Sequence, residues 1–442
     1  MGYKTIKKGI IINALWAIVS KLLSGLKLII IGVIVARQLG PDEFGAYSYT
    51  ISFVMLLSVL AEFRLHNILI REISKDEINI ETILGSAFIT CLFFSIIGYI
   101  SLLILVNFIE EDSELRFYIL IYGLTYFFQT LRFLRAFFIA KFHNKTIFKI
   151  EIIVGLLVLL TAGIVSLYSN SILLYILIRI FDVVMVSLLL IMFYQISFKK
   201  VKQWKFDKKI SKELIINSSP LVLSSLALVI FQQFDQIMIK HLLNEYSVGQ
   251  YSAAVSIISL IVFIPMVLTD VISPSLIKSK INSKSTDYLN KLQLFSDYIT
   301  WGSIILCILI TFLSPIIVNL IYGDKYFDSI EILKVFTWQS VFIAMGAVAA
   351  QIMIIDNKHQ IAYIKSLAAG ILNIVLNFIW IPKYGIMGAI WASLVAYVTS
   401  SYIAHFFIKR YKYIFFIQTK SLLYGLVNIF NDLKTINRKN DD

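Results

Sequence analysis

The sequence predicts an all-α polytopic membrane protein with about twelve transmembrane helices, each of ~20 apolar residues. Of its 442 residues, 59% are hydrophobic and only 15% are charged, whereas a soluble domain carries about 25% charged residues. The apolar residues also come in long blocks, such as 89–108, 152–167 and 304–320. Composition and block length therefore exclude soluble and disordered classes.

Apolar windows read along the chain predict the individual spans. Their bounds are 10–36, 44–65, 82–108, 116–140, 146–168, 171–196, 214–240, 248–276, 292–321, 329–355, 360–381 and 385–408. The first window is longer than the ~7–15-residue apolar core of a cleaved signal peptide. We therefore expect the first span to be retained.

Lysine and arginine are distributed unevenly between alternate connections. When residues near the ends of the spans are counted with the adjoining connection, 29 of the 40 fall in the N-terminus, the even-numbered connections and the C-terminal tail, 5 in the odd-numbered connections, and 6 deeper within spans. Because cytoplasmic loops collect these residues, both termini are predicted to be cytoplasmic. The same asymmetry explains most of the net charge of +13, because basic cytoplasmic loops set the topology and contact anionic lipids. We therefore expect no nucleic-acid partner.

The most basic connection, residues 197–213, lies almost at mid-chain and separates six predicted spans from six. A Gly-X-Tyr-Ser step at 45–48 recurs at 249–252, at matching places in the two halves. We therefore predict an N-terminal lobe at 1–196 and a C-terminal lobe at 214–408, joined by this cytoplasmic connection. Halves related in this way place the substrate path at their interface near the bilayer midplane.

The remaining residues, 409–442, are predicted to form a cytoplasmic amphipathic segment and a tail. Residues 413–430 are apolar, but Lys420 lies in their middle, and a central lysine is costly in hydrocarbon. We expect an interfacial helix, with a thirteenth span as the alternative. Residues 434–442 are expected to be disordered.

Polar residues inside the spans fall on single helix faces. The stripes are Asn13, Ser20, Lys21, Ser24 and Lys27; Tyr122, Thr125, Gln129 and Arg132; Ser218, Ser225, Gln232 and Gln236; and Ser366, Gly370, Asn373 and Asn377. Such stripes face protein or water, because polar groups are costly in lipid. Their simpler interpretation is helix packing, with Asn373 and Asn377 bonding neighbouring helices.

The deep charges of the first half are mostly cationic. They are Lys21, Lys27, Arg132, Arg135 and Arg179 against Asp182, an excess of four. A cationic cavity wall suits a diphosphate, and it suits an organic cation badly. Two simpler interpretations stay open: Arg132 and Arg135 snorkel towards the cytoplasm, and Arg179 pairs with Asp182 three residues along its helix.

Enzyme motifs are missing from the sequence, and no catalytic residue is predicted. There is no Gly-x-x-x-x-Gly-Lys-Ser/Thr phosphate loop, the five histidines lack metal-ligand spacing, and no extracytoplasmic connection is long enough for a catalytic domain. No metal or cofactor is expected beyond a coupling ion, H⁺ or Na⁺, which the sequence leaves open. The candidate coupling or polar-cavity residues are Asp182, Gln232, Asp235, Asn373 and Asn377.

Four stretches carry a resemblance to a known family. They are ARQLGPDEFGAYSYTISF (36–53), FQQFDQIMIKHLLNEYSVGQYSAA (231–254), IYGDKYFDSIEILKV (321–335) and NIVLNFIWIPKYGIMGAIWAS (373–393). Together they resemble the Wzx-type polysaccharide-biosynthesis flippases of the multidrug/oligosaccharidyl-lipid/polysaccharide (MOP) exporter superfamily. The resemblance extends from about residue 7 to residue 408, nearly the whole chain.

This resemblance implies a V-shaped, MATE-like bundle in the bacterial inner membrane. It implies a flippase that moves undecaprenyl-diphosphate-linked oligosaccharides to the outer leaflet for O-antigen or capsule synthesis, beside polymerase and chain-length proteins of the same pathway. The alternative within the superfamily is an ion-coupled multidrug antiporter, for which Asp235 and Asp270 offer carboxylates. A lipid II flippase is also possible, whereas the short loops disfavour a glycosyltransferase or polymerase.

Overall fold

The computed structural model describes residues 3–75, 79–198, 201–282, 285–356, 358 and 362–440. Every regular element in these ranges is helical. The helices of the first half are α1 (Tyr3–Leu39), α2 (Pro41–Glu62), α3 (Leu65–Lys75), α4 (Ile80–Ile109), α5 (Ser113–Gly123), α6 (Thr125–Gln129), α7 (Leu134–Ala140), α8 (Asn144–Tyr168) and α9 (Ile172–Ser197).

The second half continues the same all-helical pattern. Its helices are α10 (Lys208–Leu242), α11 (Glu245–Asn282), α12 (Ser285–Ile321), α13 (Phe327–Phe336), α14 (Gln339–Ile355), α15 (Ala362–Tyr384), α16 (Ile386–Val398), α17 (Ala404–Phe407) and α18 (Lys412–Asn440). Short 3₁₀ turns lie at Thr130–Phe133, Val201–Gln203, Asp324–Tyr326 and Lys409–Tyr411, and a π-helical turn at Thr399–Ile403.

Eleven helices of the described chain are long and apolar enough to cross a membrane, or up to 13 when each of two bent pairs counts as one span. The bent pairs are Lys208–Leu223 with Ser225–Leu242, at 41°, and Asp324–Phe336 with Gln339–Ile355, at 45°. The first bend follows Pro220, and proline removes a backbone hydrogen bond and clashes with the preceding turn. The full set corresponds to the twelve predicted spans plus α18.

Contacts divide the chain into two compact units, Met1–Ile237 and Met238–Asp442. In the first, α1 packs along α8, α2 against α4 and α5, and α8 against α9. Most of α10 belongs with this unit, since Ser52 Oγ donates to Gln236 Oε1 at 2.7 Å. The predicted lobes, 1–196 and 214–408, therefore have boundaries that differ from those of the two contact units. They remain a prediction about the two halves of the sequence.

The basic connection before α10 lies against α4. A Cβ added at Gly85 would lie 2.3 Å from the backbone oxygen of Lys205, so this approach requires glycine. Ser86 Oγ bonds the backbone of Asp207, and the Trp204 ring packs against Phe88 in a tilted arrangement, with 5.9 Å between ring centroids. The connection is therefore fixed to the first unit by backbone approach and aromatic packing.

Helix α3 is not among the predicted spans, because residues 66–81 fall between the windows 44–65 and 82–108. The chain turns at Phe63 and Arg64, whose φ angles of 47° and 48° are left-handed, and then forms a helix that buries Leu65, Ile68 and Ile73. Only one face of α3 is apolar, so its average hydropathy does not distinguish it from a loop.

Helix α18 is longer than the predicted segment 413–430, and the tail expected to be disordered is helical as far as Asn440. The tail sequence LKTINRKN contains good helix formers such as Leu, Lys and Arg, which outweigh its polarity. Residues 441–442 lie outside the described residues.

The contacts between α18 and α12 indicate how α18 lies. Tyr413 and Tyr288 both donate to Asp356, and Tyr298 donates to Asp432 at 3.1 Å. Helix α18 therefore packs against α12, and both helices are bonded to the end of α14. Because residues 409–434 are long and apolar enough to cross a membrane, the interfacial helix and the thirteenth span both stay open.

In the second unit, α11 packs against α13 and α14, α12 against α14 and α18, and α15 against α16. A Cβ at Gly388 would lie 2.3 Å from the Trp380 backbone oxygen, so the turn between α15 and α16 requires glycine there. This close approach sets the two helices side by side, with their polar residues in contact.

Candidate functional site

A buried ion-pair network joins four helices of the first unit. Lys27 Nζ of α1 lies 2.5 Å from Asp182 Oδ1 of α9 and 3.7 Å from Glu151 Oε2 of α8. Arg135 Nη2 of α7 lies 2.9 Å from Glu151 Oε1. Two cations and two carboxylates therefore balance, and removing one would leave a buried charge without its partner.

The packing of α1 along α8 positions this network. A Cβ at Gly155, one turn after Glu151, would lie 3.7 Å from Lys27 Cδ. The aliphatic part of Lys27 therefore lies over this glycine while its ammonium group reaches the carboxylates. Lys27 and Glu151 expose only 7% and 3% of their side chains, so the ion pairs are shielded from water.

Arg179 of α9 has different surroundings. Its guanidinium hydrogen-bonds the hydroxyl of Tyr122 and lies near Tyr47, and both tyrosines are buried. Its Nε is buried and has no hydrogen-bond partner among the described atoms. The predicted pairing with Asp182 is not formed, because Asp182 bonds Lys27 instead. Arg179 thus lies within electrostatic reach of Asp182 but bonds a neutral hydroxyl instead of a carboxylate, with one donor unused.

The two other predicted cations also stay outside the network. Arg132 lies half-buried in the 3₁₀ turn close to Arg135, and Lys21 of α1 is exposed. Neither forms an ion pair within the described ranges. The structure therefore separates the five predicted cations into Lys27 and Arg135, which are balanced by carboxylates, and Lys21, Arg132 and Arg179, which are not.

Glu151 is the site residue that sequence reasoning missed. It lies near the start of the predicted fifth span, where its charge was not counted against the cations. One signal was available: Glu151 is the only carboxylate in residues 146–168. Counting it lowers the predicted excess from four to three.

The predicted coupling residues fall into separate groups. Asp182 belongs to the ion-pair network, while Gln232 is exposed and Asp235 is buried on α10 within the first unit. Asn373 and Asn377 lie on α15 in the second unit. The structure therefore divides these five residues between the two units.

The two asparagines of α15 bond in series. Asn377 Nδ2 donates to Asn373 Oδ1 at 3.2 Å, and Asn373 Nδ2 donates to Ser393 Oγ of α16 at 3.0 Å. Both asparagines are fully buried. This chain joins α15 to α16, in agreement with the simpler interpretation of interhelical hydrogen bonding.

Comparison with known proteins identifies the family. Residues 7–280 match the family described as Polysaccharide biosynthesis protein. The chain belongs to this family. The capsular polysaccharide biosynthesis protein CapF of Staphylococcus aureus is 21% identical over 406 residues, which cover 90% of this chain and 99% of CapF.

Solved structures show the same fold. An inward-facing multidrug resistance MATE family transporter of the MOP superfamily matches with a TM-score of 0.70 and 14% identity, over 92% of this chain and 99% of its own. The lipid II flippase MurJ, in an inward closed conformation, matches with a TM-score of 0.69 and 16% identity, over 95% and 96%. The predicted all-α MOP fold and the family resemblance are therefore confirmed.

Proposed function

We propose that this protein is a flippase that moves undecaprenyl-diphosphate-linked oligosaccharide units from the cytoplasmic to the outer leaflet, by alternating access, for O-antigen or capsule synthesis. The family and the capsule-related relative support a role in polysaccharide synthesis, and MurJ has the same fold and flips a lipid-linked substrate. In this proposal the protein is a transporter and not an enzyme. The observation that supports a diphosphate-linked substrate is the buried position of Arg179 beside Tyr122, with its Nε unbonded within the described residues.

A diphosphate needs cations that are not already neutralised by the protein. Guanidinium groups bind phosphate oxygens through two parallel hydrogen bonds, and such charge-assisted bonds are strong. The hydroxyl of Tyr122 holds the Arg179 guanidinium without cancelling its charge, and Nε is left as a donor. We therefore assign diphosphate binding to Arg179, assisted by Lys21 and Arg132.

Lys27 and Arg135 have another role in this proposal. Their ion pairs with Asp182 and Glu151 hold α1, α7, α8 and α9 in fixed relation. They position the helix that carries Arg179, and they do not contact substrate.

An ion-coupled multidrug antiporter is the second candidate, because Asp235 is a buried carboxylate on α10. Cation extruders need such a group to bind the cation or a proton. Two further buried carboxylates of the first unit, Asp182 and Glu151, are already paired with Lys27 and Arg135. The balance of charges in the first unit therefore favours an anionic substrate.

The cytoplasmic placement of both termini also belongs to this proposal. Active alkaline-phosphatase fusions at Asn107, Asn170 and Asp324, with silent fusions at Asn79 and Lys205, would agree with the charge asymmetry. The reverse pattern at even two sites would contradict it. Anionic lipids beside the basic connections, and polymerase and chain-length proteins of the same pathway, are the partners we propose.

The decisive experiment reconstitutes the protein in vesicles and assays two substrates on the same preparation. A fluorescent undecaprenyl-diphosphate oligosaccharide should move between leaflets, whereas a cationic dye should not be extruded under an ion gradient. Dye extrusion without lipid movement would establish the antiporter instead.

A further inference from the structure

A lysine and a histidine meet in the second unit, away from the ion-pair network. Lys365 Nζ of α15 lies 3.0 Å from His405 Nε2 of α17, and His405 Nδ1 lies 2.9 Å from Gln418 Oε1 of α18. His405 and Gln418 are buried. The three side chains therefore form one hydrogen-bonded row across three helices.

The partners of Gln418 determine where the hydrogens lie. Gln418 Nε2 is 3.1 Å from the carbonyl oxygen of Met345 and 3.0 Å from that of Ser401. Carbonyl oxygens only accept, so the amide nitrogen must face them and the amide oxygen must face His405. His405 Nδ1 consequently carries a hydrogen, and in the neutral ring the lone pair of Nε2 points to Lys365.

This arrangement holds one extra proton and no more. Either the Lys365 ammonium donates to a neutral imidazole, or the imidazolium donates to a neutral Lys365 amine. With both groups protonated, two donors would face each other and two positive charges would lie 3.0 Å apart. The pair is thus built to hold a single proton.

The groups around the pair leave that proton's charge uncompensated. Backbone carbonyls come from α14 and the π-helical turn, and the Tyr411 ring lies 6.0 Å from His405 between centroids, with its hydroxyl donating to the Lys358 carbonyl. In the described part of the chain, no carboxylate pairs with Lys365 or His405. A charge that is buried without a counter-ion is costly, so the proton is held loosely.

Asp356, the carboxylate at the end of α14, is engaged elsewhere. Its Oδ1 accepts from Lys280 at 2.7 Å, and its oxygens also accept from Tyr288 and Tyr413. It therefore does not act as the counter-ion of the lysine–histidine pair. Its partners tie the ends of α11, α12, α14 and α18 together instead.

The backbone close to the lysine–histidine pair has an unusual conformation. Ser401 lies in the π-helical turn, and such turns are rare and are frequent at functional sites. A Cβ at Gly346 of α14 would lie 2.7 Å from Ser401 Oγ, so the turn packs closely on α14. The row of side chains and the π-helical turn therefore connect α14, α15, α17 and α18.

We propose that Lys365 and His405 form a proton-binding site through which the transport cycle takes up and releases one proton. Uptake adds a proton from water to the Lys365 amine or to His405 Nε2, and release returns it to water. The part of this proposal that concerns the cycle rests on the proposed flippase function; the binding of a proton does not.

The first test counts protons. The purified full-length protein is titrated between mildly acidic and mildly alkaline pH, beside Lys365→Arg, whose guanidinium stays protonated throughout, and His405→Gln, which keeps a polar side chain. The control is Lys420→Met, which removes an exposed lysine of α18. Wild type and control should release one proton more than Lys365→Arg. Equal release by wild type and both pair variants would overturn the proposal.

The second test uses vesicles that carry the fluorescent undecaprenyl-diphosphate oligosaccharide. A pH gradient should change the flipping rate of the wild type and of Lys420→Met, and it should leave Lys365→Arg and His405→Gln unchanged. A full gradient response in both pair variants would overturn the proposal. If the wild type moves no lipid, the flippase function fails, whereas the proton count still decides whether the site exists.

Discussion

Two buried helix contacts, one in each unit, use different chemistry. In the first, Lys27 and Arg135 are paired with Asp182 and Glu151. In the second, the asparagines of α15 bond a serine of α16 through neutral amide and hydroxyl groups. The first unit contains charges that must balance, whereas α15 and α16 are joined without any charge.

This difference shows which cations have a task beyond packing. A buried charge that bonds a carboxylate is accounted for by structure, but Arg179 in the first unit and Lys365 in the second bond only neutral groups. The number of cations in a span says little by itself. The partner of each cation separates structural residues from candidates for binding substrate or protons.

The largest effect is expected from breaking the charged network. Lys27→Met should lower the free energy of unfolding by about 3–5 kcal/mol, because it leaves buried carboxylates without their cation. The double variant Lys27→Met/Asp182→Asn should recover part of this loss. Thermal unfolding in detergent measures both, with Lys420→Met as the exposed control. A single variant as stable as the control would show that the network is not needed for packing.

Breaking the neutral chain should cost less. Asn373→Leu removes the acceptor of Asn377 and the donor to Ser393, and leaving such groups unsatisfied costs about 1–3 kcal/mol. The matched control is Asn107→Leu, at an exposed position where the amide bonds only its own helix. If Asn373→Leu unfolds at the same temperature as this control, the chain does not hold α15 to α16.

The smallest effect is expected at Asp356, outside the spans. Burial raises the pKa of this carboxyl, but hydrogen bonds from Lys280, Tyr413 and Tyr288 outweigh burial and lower it. Its stabilisation is therefore present above the unfolded-state pKa and is lost as pH falls through the folded-state pKa. Because Lys280 is partly exposed, Asp356→Asn should cost no more than about 1 kcal/mol at neutral pH.

Chemical denaturation at a series of pH values checks this prediction. The difference in unfolding free energy between wild type and Asp356→Asn should narrow as pH falls below the unfolded-state pKa of about 4 and then through the lower folded-state pKa. A difference that stays constant across the acid range would contradict the assigned direction of the pKa shift.

Much of the fold was predictable because long apolar blocks must become spans. Helix α3 and the bend between α13 and α14 were not predictable. A hydropathy window averages over the two faces of an amphipathic helix such as α3, and it averages over a short break such as the one between α13 and α14. For the site, the count of charges within the spans identified Lys27, Asp182 and Arg179 but not the partners that they have in the structure. Lys27 and Asp182 lie 155 residues apart in sequence, so only the packing of α1, α8 and α9 shows that they meet.

The central claim is that Arg179 receives the diphosphate of a lipid-linked oligosaccharide. The most direct measurement is the initial flipping rate of the fluorescent undecaprenyl-diphosphate oligosaccharide by Arg179→Lys and Arg179→Ala in vesicles, with Arg71→Lys on α3 as control. Hydrogen bonds to charged groups contribute about 1.5–3 kcal/mol, so Arg179→Lys should slow flipping about tenfold or more, and Arg179→Ala should abolish it at normal protein levels. Wild-type flipping by Arg179→Ala would contradict the claim.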